Sequence, residues 1–296
     1  MGILKSVFKN LVEATESQTG LPQQSALQLG DSDAAAVNSM NLRFGEQMLK
    51  RSKYGWMLFF GPFIGKCFEL YGEYSESEIE IFKLYVRPGD IAIDIGANIG
   101  DLTVPLASLV GGEGRVYAYE SHPSVFNVLC ANLALNNIHN VKPINAFVAQ
   151  SADVSTGSAQ WGERAYIGDN WEPTFTELDR LDIDRLRFIK VDVDGNELEV
   201  LKSGLQLINK FRPVIYFEND IQEKSKALLD FVLGLGYRVY FHNAPIFQSD
   251  NFYKNPENAW EPENISSFMM LALPNGIAPP KLNLPEVVSS DDWWKS

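Results

Sequence analysis

Short apolar runs alternate along most of the chain with segments whose apolar residues recur at helical spacing. The runs predict strands buried on both faces, and the segments between them predict helices that cover a parallel sheet. The last two strands, joined by a long connection, indicate an antiparallel hairpin at the end of that sheet. The predicted strands are 91–95, 116–119, a strand within 141–148, 188–193, 214–217, 237–241 and 268–273.

The helical segments differ in how clearly they begin. Residues 123–136 predict a helix that starts at Pro123, because proline is favoured at the first helical position. Residues 198–208 predict one helix with a single apolar face, and residues 227–235 predict another. Pro105 follows the first core strand closely. The helix there either begins near Asp101, with the proline in its first turn, or is kinked.

The first 87 residues have a different pattern. Residues 1–13 predict an amphipathic helix, docked on its own domain or on a second copy of the chain in a homo-oligomer. A membrane surface is disfavoured, because only two lysines accompany the apolar face. Polar residues 14–39 predict a linker. Residues 40–62 predict a small hairpin, and residues 75–85 a helix with Ser75 and Glu78 as a capping box.

These segments predict four parts of the chain. They are an N-terminal helix and linker (1–39), a preface with an entry helix (40–87), the main α/β domain (88–278) and a C-terminal tail (279–296). In the tail, Trp293 and Trp294 either dock on the domain or stay free. Within the domain, a polar insertion at 150–176 stands beside the predicted site, where such insertions often carry specificity.

Composition limits the partners. Of 296 residues, 25 are Lys or Arg and 38 are Asp or Glu, and the net charge of −13 disfavours a nucleic-acid partner. No apolar run reaches the ~20 residues of a membrane span, and a signal-peptide pattern is lacking, so a cytoplasmic location is expected. Cys67 and Cys130 predict buried free thiols, and the three histidines show no metal-ligand spacing.

The first core strand runs into a turn that is rich in glycine. Asp94 lies near the end of the strand, and Gly96, Asn98 and Gly100 shape the turn. The next strand ends in Glu120, about 20 residues later. This arrangement usually binds the ribose of a nucleoside: it consists of a strand, a glycine turn, a helix and a second strand that ends in a carboxylate. The sequence therefore predicts a nucleoside cofactor.

The turn also discriminates between such cofactors. Asn98 and Asp101 stand where a dinucleotide-binding turn needs glycine, and an aspartate there repels a pyrophosphate. The turn instead fits the first motif of S-adenosylmethionine-dependent methyltransferases, acidic-x-Gly-x-Gly/Asn-x-Gly. This ligand has no phosphate and carries a sulfonium cation. Gly96 and Gly100 let the backbone pass close to its methionine part, and Glu120 is expected to accept hydrogen bonds from both ribose hydroxyls.

Carboxylates also stand at the ends of other predicted strands, where open α/β sheets bind their ligands. Besides Asp94 and Glu120, the strand-end polar residues are Asp192, Asp194, Glu218, Asn219, Asp220, His242 and Asn243. Together the carboxylates predict an acidic cleft that suits a positively charged sulfur. Asp194 and Glu197 also fit a purely structural role, as the cap and third residue of a helix start.

The chain resembles the FkbM family of methyltransferases over about residues 43–275, where the matching segments have the family's order and spacing. The matching segments are Leu70-Tyr-Gly-Glu-Tyr74, Pro88-Gly-Asp90, Asp94-Ile-Gly-Ala-Asn-Ile-Gly100, Gly114-Arg-Val-Tyr-Ala-Tyr-Glu120, Ile189-Lys-Val-Asp-Val-Asp-Gly-Asn-Glu197, residues 201–204 and Arg212-Pro-Val-Ile-Tyr-Phe-Glu-Asn219. There are two departures. Ser121 and His122 intervene before Pro123, where the family often has Glu-Pro, and Asp194 replaces a glutamate.

The resemblance implies a class I Rossmann-like methyltransferase fold, with a mostly parallel seven-stranded sheet, helices on both faces and an antiparallel terminal strand. It implies methyl transfer from S-adenosylmethionine, usually to a hydroxyl of a sugar or natural product, so a small molecule or glycan is the expected acceptor. It also implies that Tyr71 and Glu73 close over the cofactor. Ser121, directly after Glu120, is counted with the cofactor contacts.

A sugar hydroxyl is a weak nucleophile, so its methylation needs a general base or a metal. Asp192 and Glu218 are the main candidates, as base, as Mg²⁺ ligands or as acceptor-binding groups, and His242 is an alternative base. Nothing in the spacing requires a metal. The Asn/Asp-Pro-Pro-Tyr motif of base-directed amino methyltransferases is missing after the fourth strand. A non-catalytic nucleoside-binding protein and a nicotinamide-dependent oxidoreductase remain the alternatives.

Overall fold

The structure is a computed structural model that describes residues 42–44, 47–149, 174–262 and 264–294. The predicted N-terminal helix and linker lie outside these ranges, as do residues 150–173 of the predicted insertion. Among the helices of the described ranges, none combines the length and apolar character that a membrane crossing requires.

The described chain begins with a small antiparallel sheet. It consists of β1 (Leu42–Phe44), β2 (Gln47–Ser52) and β3 (Gly55–Phe59), and two helices follow, α1 (Ile64–Tyr71) and α2 (Glu76–Tyr85). The predicted hairpin and entry helix are both present. Side chains of Asn132 and Asn136 accept the backbone N–H groups of Leu58 and Trp56, each at 2.7 Å. Asn132 lies on the helix Pro123–Leu135 and Asn136 directly follows it, so these bonds tie β3 to that helix.

Seven strands form the central sheet. In chain order, the remaining elements are β4 (Ile91–Ile95), α3 (Thr103–Val110), β5 (Arg115–Glu120), α4 (Pro123–Leu135), β6 (Val141–Asn145), β7 (Phe147–Val148), β8 (Phe175–Thr176), β9 (Phe188–Val191), α5 (Glu197–Ser203), α6 (Leu205–Phe211), β10 (Val214–Glu218), α7 (Gln222–Gly234), β11 (Tyr237–Pro245) and β12 (Ser266–Pro274). The central order is β11-β12-β10-β9-β4-β5-β6, with β12 antiparallel to both neighbours. This confirms the predicted class I Rossmann-like methyltransferase fold.

Both faces of the sheet are covered, which explains the nearly continuous apolar strands. On β9, Ile189 and Val191 pack with apolar residues of α5, α6 and α7. Phe188 points to the opposite face, where its ring lies 5.1 Å from that of Phe82 on α2. The carboxyl ends of β4, β5, β9 and β10 meet at one edge, so the predicted site residues are drawn together there.

The single helix predicted over 198–208 is two helices, α5 and α6, which separate at Gly204. The carboxylate of Asp179 accepts the N–H groups of Gln206 and Leu207 at 3.0 and 2.9 Å. It thereby satisfies two of the amides that every helix start leaves unpaired. A Cβ at Gly204 would lie 3.0 Å from the Leu178 side chain, so the glycine lets this break pack closely.

Two predicted helix starts have different outcomes. Helix α3 begins at Thr103, so Pro105 lies in its first turn, which is the first of the two alternatives. The capping box predicted at Ser75 and Glu78 is wrong. Ser75 has a left-handed φ of 44°, and its hydroxyl donates to the Glu78 carboxylate at 2.6 Å instead of accepting a backbone amide.

The C-terminal tail docks on the domain. The N–H of Phe241 donates to the carbonyl of Pro285, and the N–H of Val287 donates to the carbonyl of Val239, both at 2.8 Å. The tail therefore runs beside β11, an edge strand of the central sheet, and occupies backbone groups that such a strand otherwise exposes. The side chain of Val287 is buried in the same contact.

Candidate active site

The backbone of the turn after β4 packs closely against the backbone at the ends of β5 and β9. Gly96, Asn98 and Gly100 have φ angles of 77°, 49° and 91°, in the region that favours glycine. The N–H of Gly96 donates to the carbonyl of Tyr119 at 3.0 Å, which ties the turn to β5. A Cβ on Gly96 would lie 1.8 Å from the carbonyl oxygen of Asp192, so only glycine fits here. The turn therefore lies where β4, β5 and β9 end.

Glu120 is held beside this turn and is only 1% exposed. The N–H of Asn98 donates to Oε2 at 3.0 Å, and the N–H of His122 donates to Oε1 at 2.8 Å. A small cavity of about 20 Å³ adjoins these residues and is lined by Ile95, Gly96, Tyr119, Ser121, Ala146, Phe147, Val148 and Val193. The structure thus brings together the turn, Glu120 and Ser121, as predicted for one ligand.

A second group of polar side chains occupies one face of the sheet at its carboxyl end. Side chains alternate between the two faces along a strand. On the face covered by α2 and α3, this alternation places Asp94, Lys190, Asp192, Tyr216, Glu218 and His242. We call this set the polar face. It joins the turn after β4, which is the predicted cofactor turn, through Asp94 to the predicted catalytic carboxylates.

Lys190 is the buried cation of the polar face. Its Nζ lies 3.4 Å from Oδ1 of Asp94 and 3.6 Å from Oδ2 of Asp192, and it donates to the carbonyl of Gly96 at 2.9 Å. Burial lowers the pKa of this ammonium, but the carboxylates of Asp94 and Asp192 outweigh burial and the pKa is raised. Lys190 therefore stays charged and links the turn to Asp192.

Asp192 and Glu218 are in contrasting environments. The side chain of Asp192 is 37% exposed and has the Lys190 ammonium beside it. Burial raises the pKa of the Glu218 carboxyl well above its usual range, and the negative charges of Asp192 and Asp220 raise it further. Two carboxyl groups whose surroundings differ in this way are typical of sites in which one group binds charge and the other transfers a proton.

The described residues do not form a metal site. Among them, no three His, Cys, Asp or Glu side chains are placed to hold a metal ion. No step of the chemistry below uses a metal.

His242 lies within the sheet and not at its open end. It is 7% exposed on β11, and its Nδ1 lies 2.7 Å from the hydroxyl of Tyr216, inside the core. Burial lowers the pKa of the imidazole to about 4. A neutral, enclosed ring that is bound to Tyr216 fits a structural role better than the predicted role of a base.

The burial of His242 predicts an acid-sensitive fold. The folded pKa of about 4 lies below the ordinary value of 6.5. The unfolded chain therefore binds the extra proton first, and stability is lost as pH falls from 6.5 towards 4. In His242→Gln, we expect the loss in unfolding free energy between pH 7 and pH 4.5 to shrink by about 2 kcal/mol. Urea unfolding at both pH values measures it. The exposed His139→Gln serves as control, and equal pH dependence in both variants would refute the assignment.

Tyr71 and Glu73 make their described contacts away from the turn. The hydroxyl of Tyr71 donates to the carbonyl of Glu257 at 3.1 Å and accepts the N–H of Ala259 at 2.8 Å. Glu73 pairs with Lys53 at 3.3 Å and accepts the N–H of Phe252 at 3.0 Å. These contacts fix the long connection between β11 and β12. The two residues are therefore not brought together with Glu120.

The helix cap predicted at Asp194 and Glu197 is also wrong in its details. The N-terminal cap of α5 is Asn196, and Asp194 has a left-handed φ of 52°. Glu197 reaches back with Oε1 to accept the N–H groups of Val193 and Gly195 at 3.1 and 3.0 Å. Burial raises its pKa to about 7. The carboxylate thus shapes the loop that follows Asp192.

Sequence reasoning missed three residues, of which Lys190 belongs to the polar face and Tyr74 and Glu78 lie beside it. Lys190 could have been noticed as a lone cation inside a buried apolar strand. Tyr74 ends a segment that matches the FkbM family, and its hydroxyl lies within electrostatic range of Glu78, Asp101 and Asp192. Glu78 has a pKa raised to about 7, mainly by burial, and nothing in its helical pattern separates it from a surface glutamate.

Comparison with known proteins supports the same family. Residues 94–239 match the family model of the methyltransferase FkbM domain. Over 57 residues, the chain is 40% identical to tRNA(Phe) (4-demethylwyosine(37)-C(7)) aminocarboxypropyltransferase from Methanocaldococcus jannaschii, covering 19% of this chain and 22% of that protein. Over 68 residues, it is 35% identical to a probable cobalt-precorrin-6B C(15)-methyltransferase (decarboxylating) from Saccharolobus solfataricus, covering 22% of this chain and 34% of that protein. The chain thus spans a third or less of the length of these curated relatives.

Similar solved structures include methyltransferase FkbM from Methylobacillus flagellatus KT, with 17% identity and a TM-score of 0.43 over 66% of this chain and 50% of that one. Another is an S-adenosylmethionine-dependent O-methyltransferase from Thermotoga maritima, with 12% identity and a TM-score of 0.46 over 82% and 88%. The domain match covers the turn, Glu120 and the carboxylates of β9 and β10, and it confirms the resemblance read from the sequence. Residues 94–239 of this chain are therefore a methyltransferase FkbM domain.

Proposed function

We propose that this protein uses S-adenosylmethionine to methylate a hydroxyl oxygen of a small molecule or glycan, such as a sugar or natural product. One observation carries the proposal. A buried Glu120, fixed by two backbone amides, stands beside a glycine turn within an FkbM domain, and the acidic end of β9 and β10 adjoins that turn. A ribose and a cation are therefore accommodated side by side.

The residues of the turn suit this cofactor. The two amides hold one oxygen each of the Glu120 carboxylate beside the turn. A carboxylate fixed in this position suits hydrogen bonds from a pair of ribose hydroxyls. Asp101, where a third glycine would serve a pyrophosphate, is 8% exposed. Together with Asp94 and Asp192 it gives this edge of the sheet an acidic character, which favours a sulfonium and disfavours a dinucleotide.

The chain's own residues have three tasks in the transfer. When bound, S-adenosylmethionine supplies a methyl group activated by the positive sulfur. Glu120 and the turn hold the nucleoside, and Asp192, paired with Lys190, offers negative charge near the expected sulfonium position. Glu218 is the proposed base that takes the proton of the acceptor hydroxyl as its oxygen gains the methyl group. Its raised pKa brings a carboxylate closer to the neutral range in which proton transfer is most effective.

Two other acceptor classes come from the names of the relatives. One relative is named for a tRNA and the other for a cobalt-precorrin. The net charge of −13 disfavours a tRNA, because nucleic-acid affinity comes largely from basic groups that neutralise phosphates. A hydroxyl-bearing small molecule requires no basic surface and is therefore the proposed class.

A screen of acceptors tests the reaction. The purified full chain, given S-adenosylmethionine and a panel of sugars, glycosides and hydroxylated natural products, is expected to release S-adenosylhomocysteine above the acceptor-free rate with at least one compound. Mass spectrometry of that product should show one added methyl on oxygen. Binding of S-adenosylhomocysteine without turnover on any acceptor would favour the non-catalytic alternative, and turnover on tRNA alone would replace the acceptor class.

The role of Glu120 can be measured without an acceptor. In Glu120→Ala, affinity for S-adenosylhomocysteine should fall by ~1.5–3 kcal/mol, which is the scale of hydrogen bonds to a charged group. Isothermal titration calorimetry gives the dissociation constants. Glu113→Ala, at an exposed position in the loop before β5, should bind like the wild type. Unchanged affinity in Glu120→Ala would remove the ribose assignment.

A further inference from the structure

The C-terminal tail reaches the edge of the sheet beside Glu218. The indole ring of Trp294 lies between two aromatic rings, with its centroid 4.8 Å from that of Phe241 and 5.1 Å from that of Phe268. Its Nε1–H donates to the carbonyl oxygen of Asn219 at 2.7 Å. Because Asn219 follows Glu218 directly, the tail is bonded to the main chain next to the proposed base.

The tail is anchored at points before Trp294. The N–H of Val287 donates to the carbonyl of Val239 at 2.8 Å. Lys226, on α7, pairs with Asp291 at 2.9 Å and donates to the hydroxyl of Ser290 at 3.1 Å. The segment before Trp294 is therefore fixed to β11 and to α7, and it holds the indole at Asn219.

Asn219 itself is held from several sides and is 3% exposed. Its N–H donates to the carbonyl of Phe268 on β12 at 2.9 Å, and its side-chain Nδ2 donates to the hydroxyl of Ser225 on α7 at 3.0 Å. The bond from Trp294 adds a third direction. Together the three bonds fix the backbone at the point where β10 ends in carboxylates.

We propose that Trp294 is a positioning residue for Glu218, because its indole N–H holds the Asn219 carbonyl and thereby sets where the Glu218 carboxylate stands. The inference rests on the proposed function. The charged groups that act on Glu218 are Asp192 and Asp194 after β9, Glu197 on α5 and Asp220 after β10, with Lys224 of α7 acting on Asp220. A shift of the backbone at Asn219 would therefore change the distances between the Glu218 carboxylate and these acidic groups.

A pair of ligands makes the position of Glu218 measurable. S-adenosylmethionine carries a positive sulfur, whereas S-adenosylhomocysteine is neutral at that atom. The ratio of their dissociation constants therefore reports the carboxylate charge near the sulfur. For the wild type, we expect the preference for S-adenosylmethionine to increase with pH as Glu218 ionises. Moving a carboxylate from about 4 to about 5 Å from a cation lowers the binding constant of that cation about fourfold at an effective dielectric constant of about 20.

The test compares Trp294→Phe with the wild type by calorimetry from pH 5.5 to pH 9. The variant keeps an aromatic ring between Phe241 and Phe268 but lacks the N–H donor. We expect its preference for S-adenosylmethionine at high pH to fall about fourfold, with affinity for S-adenosylhomocysteine unchanged. Trp293→Phe is the matched control and should behave like the wild type. Lys226→Ala, which loosens the same tail from an exposed position, should show a smaller loss in the same direction.

The outcomes separate this inference from the proposed function. If the wild type binds neither ligand, the proposed function fails. If the wild type shows the pH-dependent preference and Trp294→Phe retains it in full, the positioning role of Trp294 is overturned, whatever the result for Lys226→Ala. An equal loss in Trp293→Phe would also overturn it, because the effect would then belong to the tail in general and not to the indole N–H at Asn219.

Discussion

Replacement of Glu218 by glutamine is expected to slow methyl transfer by a factor of about 10² to 10⁴ while making the folded protein more stable near neutral pH. The rate loss is the usual contribution of a general base. Glutamine has nearly the same shape but cannot accept the acceptor's proton. Asp192→Asn is expected to lower turnover as well, because it removes the negative charge that Lys190 holds near the cofactor turn.

The gain in stability follows from the sign of the pKa shift at Glu218. Burial, with the charges of Asp192 and Asp220, raises the pKa of this carboxyl in the folded protein. The folded state therefore binds the proton more tightly than the unfolded chain. Wild-type stability is greatest below the ordinary glutamate pKa and decreases as pH rises towards the folded pKa. Glutamine does not titrate, so Glu218→Gln lacks this decrease.

Two measurements on the same samples test both parts. Release of S-adenosylhomocysteine with the accepted substrate gives the rate, and urea unfolding between pH 4.5 and pH 8 gives the stability. Glu199→Gln is the matched control, since Glu199 lies half-exposed on α5 and pairs with Lys202 at 2.8 Å. A full rate in both Glu218→Gln and Asp192→Asn would show that neither residue is needed for the chemistry.

Replacement of Lys190 by methionine is expected to destabilise the fold by about 3–5 kcal/mol, the usual cost of removing one partner of a buried ion pair. Methionine fills a similar volume but leaves Asp94, only 1% exposed, without its cation. It also removes the donor to the Gly96 carbonyl. The cofactor turn and Asp192 then lose their common partner, so affinity for S-adenosylhomocysteine should decrease in the fraction that folds.

The double variant Lys190→Met with Asp94→Asn distinguishes lost charge balance from lost packing. Without the buried carboxylate charge, the double variant is expected to regain part of the stability that the single variant loses. Lys202→Met, at a half-exposed position on α5, should stay close to the wild type in urea unfolding. If Lys190→Met unfolds at the wild-type urea concentration, the ammonium does not hold the polar face together.

The strands and the cofactor turn were predictable because their patterns are local. Continuous apolar runs mark strands covered on both faces, and Gly96 and Gly100 mark a turn that needs positive φ. Glu120 was predictable from its spacing after the turn. Asp192 and Glu218 were expected in one cleft because both follow predicted strands, and the pairing of β9 with β10 places them at the ends of neighbouring strands.

The remaining features depend on contacts between residues distant in sequence. The break at Gly204 depends on Asp179, whose carboxylate caps α6 from another loop. Tyr71 was expected over the cofactor, but residues 257 and 259 engage its hydroxyl. His242 looked like an open strand end because β11 was predicted four residues too short. Trp294 could not be placed, since no local pattern indicates that its indole bonds to Asn219.

The most direct test of the proposed cofactor site is a calorimetric titration of the wild-type chain with S-adenosylhomocysteine and, in parallel, with NADH. The turn, Glu120 and the acidic face predict saturable binding of one S-adenosylhomocysteine per chain and no binding of NADH. Saturable binding of NADH without binding of S-adenosylhomocysteine would contradict this account and favour the oxidoreductase alternative.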